Sequence, residues 1–193
     1  MDERRWLNDV TVYAPGQAAV KHRAPYVLGN VTCLAGEVDP FHQGIVAEAV
    51  SHCQTIAPWM AVVVAPDLQW KGCYNRGVCS YRTNTIFLSL HDGPPEIVAT
   101  AYHEAWHGLE RRLPGNVIEA IENELQPFFL EAYKYYREPH ERRARLFANW
   151  CGCIFEGKPV PKETLLDAIF AAAWSGETAK EIDTFFDELE LVA

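Results

Sequence analysis

The chain has 193 residues and a mass of 21.8 kDa, which suits one domain with a substantial core and leaves little room for two. Apolar residues make up 49% and charged residues 22%, a composition that excludes intrinsic disorder and fibrous or low-complexity architectures. Subtracting 26 Asp and Glu from 17 Lys and Arg gives a formal net charge of -9, which disfavours nucleic acid and anionic membranes as partners.

The sequence predicts a cytoplasmic protein. It contains no run of about 18 to 20 apolar residues of the kind that spans a membrane, and its start, MDERRWLNDV, lacks the apolar stretch of a secretory signal. The cysteines are expected to be thiols at positions 33, 53, 73, 79, 151 and 153. Two alternatives remain: a second metal site formed by Cys73, Cys79, Cys151 and Cys153, or a disulfide between Cys73 and Cys79.

The first half of the chain reads mainly as strands. In residues 1–41, proline and glycine interrupt short apolar pieces such as VTVY and YVLGNVTCL. A first helix is expected over 42–57, followed by a buried strand in MAVVVA at 60–65. Further strands are expected at 69–74, 78–82 and 85–90, with a reversal at Asn75, Arg76 and Gly77 between the first two. Together these strands predict a small mixed sheet.

The second half reads as helices. After Pro94 and Pro95, the residues Ile97, Ala101 and Ala105 recur on one helical face. Further helices are expected over 116–137, 140–156, 161–174 and 177–190. Strands followed by helices predict an α+β fold in one domain, with a strand-rich part at 1–41, a core at 42–156 and C-terminal helices at 157–193.

The segment HEAWH at 103–107 matches the H-E-x-x-H pattern, which would arise by chance in this composition with a probability of roughly 2%. On a helix, His103 and His107 project from one side at successive turns, so both imidazoles can reach one ion at about 2 Å. Glu104 is rotated by about 100° from His103 and can lie beside a metal-bound water as a general base. The pattern predicts a zinc site with this glutamate as the base.

The third ligand has to come from another part of the chain. Glu110 lies on nearly the same helical face, but it is about 10 Å along the axis from His103, so we expect it to stay outside the ligand set. A metzincin would have a histidine where this chain has Leu113, which excludes that branch.

The segment EPHERRARLFANW at 138–150 is the best source of this ligand. Pro139 suits the first turn of a helix and places Glu141 just inside it. Glu138 and His140 remain alternatives, because the preferences of zinc do not separate the two carboxylates.

The chain resembles the zincin metallopeptidases, and specifically the gluzincin-like group that includes the ImmA/IrrE proteins. The resemblance covers about residues 42–156 and depends on HEAWH and on the E-x-x-A-x-x-F-A pattern of ERRARLFA at 141–148. It implies that Glu141 completes the zinc site and that the strand at 85–90 is an edge that binds an extended peptide by strand addition. Trp106 and Arg143 differ from the usual residues of the family.

The expected activity is peptide-bond hydrolysis of a peptide or protein substrate with one zinc ion, bound by His103, His107 and Glu141. Glu104 would accept a proton from the water and return it to the leaving amine. The alternative is a non-proteolytic regulatory or binding protein in which zinc is structural. A basic cluster of Arg142, Arg143 and Arg145 is interpreted as a solvated helix face. The candidates for the donor that stabilises the oxyanion are Tyr133, Tyr136, His140 and Arg145.

Overall fold

The computed structural model describes residues 4–125, 138–155, 165–178, 180–182 and 184. The chain begins with six short strands: β1 (Arg5–Leu7), β2 (Asp9–Tyr13), β3 (Val20–Arg23), β4 (Tyr26–Leu28), β5 (Val31–Leu34) and β6 (Gly36–Val38). A helix and five further strands follow: α1 (Pro40–Ile56), β7 (Ala61–Ala65), β8 (Asp67–Trp70), β9 (Cys73–Tyr74), β10 (Gly77–Ser80) and β11 (Thr85–Ser89). The rest is helical: α2 (Pro94–Glu110), α3 (Gly115–Leu125), α4 (Pro139–Phe155) and α5 (Leu165–Trp174). The predicted α+β class is confirmed.

The centre of the molecule is a mixed sheet of five strands in the order β10-β11-β7-β2-β3. Its strands β7 and β11 are parallel, and the other neighbours are antiparallel. Val62 and Ile86 face the core with the helices, whereas Val63 and Phe87 face a second core with a four-stranded sheet, β4-β5-β8-β9. Because both faces are covered, the central strands are apolar along their whole length rather than alternating.

Two predictions about strand pairing are wrong. Residues 69–74 and 78–82 do not form one hairpin: β9 turns back on β8, and β10 pairs with β11. The turn between β8 and β9 uses Lys71 and Gly72, both with positive φ, which is the backbone of a two-residue hairpin. In addition, the strand at 85–90 is not an edge, because β11 lies between β10 and β7. The edge strand on this side of the sheet is β10.

The C-terminal half of helix α2, from Ala101 onward, is almost entirely buried. It packs against α1, where the Cys53 thiol donates to the carbonyl oxygen of Ala101 at 3.5 Å and the Tyr102 hydroxyl lies 3.0 Å from His52 Nε2. Gly108 contributes to this close packing, since a Cβ at this position would overlap the sulfur of Met60. The central helix is therefore fixed along its length by the core.

Helix α4 packs against α2 through aromatic rings. The ring centroids of Trp106 and Phe147 are 4.8 Å apart, and Phe170 of α5 lies 5.1 Å from Trp106 and 5.3 Å from Phe147. Trp106 is fully buried and lies at the centre of the contact between α2, α4 and α5.

The predicted helices at 116–137, 140–156 and 161–174 are confirmed in their described parts, and residues 180–182 and 184 are helical within the predicted 177–190 segment. The parts at 126–137, 156–164 and 185–190 lie outside the described residues. None of the described helices is long and apolar enough to cross a membrane.

Candidate metal centre

Helix α2 brings His103 and His107 together. Pro94 and Pro95 open the helix, where their missing N–H groups and fixed φ are tolerated. The four-residue spacing then places the Nε2 atoms of the two imidazoles 3.1 Å apart, with the ring planes at 85°. The predicted pair therefore has both Nε2 atoms directed at one point.

Helix α4 supplies the third group. The Oε2 atom of Glu141 lies 3.2 Å from His103 Nε2, and its Oε1 atom lies 3.6 Å from His107 Nε2. The alternatives lie outside this group: Glu138 has a side chain that is 70% exposed, and its carboxylate is 3.8 Å from His140 Nδ1. Among the described residues, only His103, His107 and Glu141 form a cluster that could hold a metal ion.

The donor set fits a divalent cation. Zinc bonds of 2.0–2.1 Å in a tetrahedral arrangement separate neighbouring donors by roughly 3.3 Å. Here His103 Nε2 lies 3.1 Å from His107 Nε2 and 3.2 Å from Glu141 Oε2, and His107 Nε2 lies 3.6 Å from the other carboxylate oxygen, Glu141 Oε1. Hydrogen bonds from His103 and His107 lower the pKa of Glu141 well below its usual range against the effect of burial, so this carboxylate is ionised. Two nitrogen donors and one anionic oxygen are the ligand types that zinc prefers, and three ligands leave a fourth position for water.

Glu104 lies beside this group without belonging to it. It is buried, and burial raises the pKa of its carboxyl above the usual value, while a backbone hydrogen bond from Cys79 opposes the shift. The neighbouring strand approaches closely because Gly77 has no side chain: a Cβ there would lie 2.8 Å from Cγ of Glu104 and 2.5 Å from Cγ2 of Thr100. The predicted general base is therefore held between α2 and β10.

The basic cluster of α4 is not a solvated face, which corrects the sequence-based interpretation. Arg143 is buried and forms ion pairs with Glu110 of α2 and Glu122 of α3. Arg142 also pairs with Glu122, at 2.7 Å. The pattern was misread because the acidic partners are 20 to 33 residues away in the sequence and reach α4 only in the folded chain.

Glu110 links this network to the candidate ligands. Its Oε2 atom lies 3.9 Å from Nδ1 of His107, which is longer than a hydrogen bond but places a carboxylate behind the ring, where metal-binding histidines commonly have one. Burial lowers the pKa of His107, but the neighbouring carboxylates of Glu110 and Glu141 outweigh burial and raise the pKa to about 9. Glu110 is therefore not part of the cluster of His103, His107 and Glu141, and its carboxylate lies beside one member of that cluster.

A cleft of about 940 Å³ runs between β10 and α4 and is lined by all four predicted site residues, His103, Glu104, His107 and Glu141. Of the expected oxyanion donors, His140 and Arg145 line the cleft, whereas Tyr133 and Tyr136 lie outside the described residues. Tyr81 also lines the cleft and was missed, because no local pattern distinguishes it. The guanidinium of Arg111 lies 4.5 Å from the centre of the Tyr81 ring. Burial raises the pKa of the Tyr81 phenol, so Tyr81 is a protonated donor.

The cysteines do not form the alternative sites that the sequence left open. All six are free thiols, and Cys73 and Cys79 lie in different sheets. The predicted thiol state is therefore the one observed, and no second metal cluster is present within the described ranges.

In the comparisons with known proteins, the chain matches no family model, no curated protein and no solved structure.

Proposed function

We propose that the chain is a zinc-dependent metallopeptidase of the zincin type that hydrolyses a peptide or protein substrate in the cytoplasm. The observation that carries the proposal is the convergence of His103, His107 and Glu141, with all donor atoms within 4.8 Å of one another, at an open cleft that also contains Glu104. Two histidines and a carboxylate with a free coordination position are typical of catalytic rather than structural zinc sites.

When bound, zinc would supply the Lewis acidity that makes water nucleophilic near neutral pH. Glu104 would accept a proton from the attacking water and return it to the leaving amine. Its burial suits this exchange, because a carboxylate with a raised pKa is a stronger base and a better proton carrier. Tyr81, His140 and Arg145 are the candidates on the cleft wall for donating a hydrogen bond to the oxyanion.

The order of elements supports the resemblance to the gluzincin-like ImmA/IrrE proteins. A mixed sheet precedes the H-E-x-x-H helix, and the glutamate of the second motif arrives from a later helix, as in that group. Peptide binding by strand addition is assigned to β10 rather than to β11, because β10 pairs on one side only and its residues 77–79 line the cleft.

Replacing Glu104 by Gln tests the proposal. We expect the zinc-loaded variant to keep its zinc and its thermal stability but to lose at least about 100-fold in the rate of cleavage of a proteome-derived peptide mixture, because general-base catalysis contributes on this scale. The matched control is Glu96→Gln, which changes another carboxylate of α2 at the cleft wall and should leave the rate within about twofold.

The alternative function is a binding protein with structural zinc. It would be favoured if the wild-type protein binds zinc stoichiometrically yet cleaves no peptide in the mixture, or if Glu104→Gln cleaves as fast as the wild type.

A further inference from the structure

One ring nitrogen of His107 faces away from the candidate metal centre. Its Nε2 atom lies near His103 and Glu141, whereas its Nδ1 atom is buried and forms no hydrogen bond with any described residue. An imidazole that binds a metal through Nε2 carries its proton on Nδ1. A buried N–H group without an acceptor is costly, so a metal-binding His107 requires an acceptor on this side of the ring.

The carboxylate of Glu110 faces this nitrogen with one of its two oxygens. Its Oε1 atom contacts Nε and Nη2 of Arg143, and its Oε2 atom lies 3.9 Å from Nδ1 of His107. The side chains of His107 and Glu110 are only 6% and 8% exposed, so water has little access to either group. A shift of about 1 Å in the glutamate side chain would bring the two atoms to hydrogen-bond distance.

Arg143 fixes the position of this carboxylate. It is buried, and besides Glu110 it contacts Glu122 of α3 through Nη1. A buried carboxylate is stable only when its charge is compensated, and the guanidinium supplies that compensation. The Oε2 atom of Glu122 in turn lies 2.7 Å from Nη2 of Arg142. A continuous chain of charged contacts therefore runs from α3 through α4 to the carboxylate beside His107.

We propose that Glu110 is a positioning residue of the metal centre, which accepts the Nδ1 proton of His107 and holds the ring with Nε2 towards the ion. The inference rests on the zinc site of the proposed function and adds a group that acts on the metal only through His107. A carboxylate in this place also makes the imidazole a stronger donor, so Glu110 contributes to zinc affinity. The competing role is purely structural: through Arg143, Glu110 would only hold α4 and with it Glu141.

The test is a double-mutant cycle in which zinc affinity is measured by competition with a chelator at constant pH. Glu110→Gln preserves the size of the side chain and should weaken zinc binding at least about 10-fold in the wild-type background. We expect the same factor in the Glu141→Ala background, because His107 is still a ligand there. A purely structural role predicts instead that the loss disappears once Glu141 is gone. The control is Glu119→Gln, which changes an exposed carboxylate of α3 and should leave the affinity within about twofold in both backgrounds.

A spectroscopic measurement on the zinc-loaded wild type tests the same contact without a variant. With isotope-labelled histidine, the Nδ1 proton of His107 should give an NMR signal that exchanges slowly with water, because it is buried and hydrogen-bonded. Neither readout uses cleavage, so both results in a protein that cleaves no peptide would support the role of Glu110 and reject only the peptidase.

Three results would overturn the inference: a change of less than about twofold in zinc affinity in Glu110→Gln, an effect that disappears in Glu141→Ala, or rapid exchange of the His107 proton. A wild type that binds no zinc would overturn both this inference and the proposed function.

Discussion

The two helices that meet at the candidate metal centre are held by different interactions. Helix α2 lies in the core between α1 and the central sheet, and its two histidines are placed by helical geometry alone. Helix α4 is positioned by the aromatic contacts of Trp106 and by the ion pairs of Arg143. The α2 half of the centre therefore depends on local structure, whereas the α4 half depends on side chains that are distant in sequence.

This difference predicts that substitutions in the supports of α4 affect the centre more than surface changes near α2. The largest effect is expected for Arg143→Ala, which leaves the buried carboxylate of Glu110 without its ion pair. We expect a loss of roughly 3–5 kcal/mol in the free energy of unfolding, measured by urea titration of the metal-free protein. The control is Arg76→Ala, because the Arg76 side chain is 70% exposed and its pair with Asp92 should contribute less than about 1 kcal/mol. Equal losses in the two variants would show that the Arg143 network does not hold α4.

The second effect concerns the ligand itself. Glu141→Ala removes one of three predicted ligands and should weaken zinc binding at least 100-fold, or about 2.7 kcal/mol, measured by competition with a chelator. Glu138→Ala changes an exposed carboxylate three residues away and should leave the affinity within about twofold. The assignment of the third ligand is wrong if Glu138→Ala, rather than Glu141→Ala, releases the metal.

The smallest effect is expected on the α2 side, where β10 approaches Glu104. Gly77→Ala places a methyl group against Thr100 and Glu104 and should reduce stability by about 1–3 kcal/mol and slow cleavage, while zinc binding is retained. Gly152→Ala is the matched control, because no atom lies within 4 Å of the added carbon and the residue is inside α4. It should stabilise the protein by about 0.5–1 kcal/mol. A neutral result for Gly77→Ala would mean that β10 is not tightly packed against α2.

The pairing of the strands illustrates what a sequence pattern leaves open. Apolar runs correctly indicated extended structure between residues 60 and 90. The pairing differs from the predicted hairpin, because β9 pairs with β8 and β10 pairs with β11. A run of β-forming residues reports that a segment is extended, but its partner depends on turn conformations such as that of Lys71 and Gly72. The edge of the sheet was assigned to 85–90 instead of β10 for the same reason.

The sequence by itself determined the α+β class, the helix that carries H-E-x-x-H and the relative positions of His103, Glu104 and His107, because a period of 3.6 residues per turn converts spacing directly into geometry. Only the tertiary structure placed Glu141, rather than Glu138, beside the two histidines, since that placement depends on how α4 is rotated against α2. Only in the folded chain is Arg143 buried, and only there do Tyr81 and Trp70 line the same cleft. These features arise from contacts between segments far apart in the chain, and no local pattern encodes them.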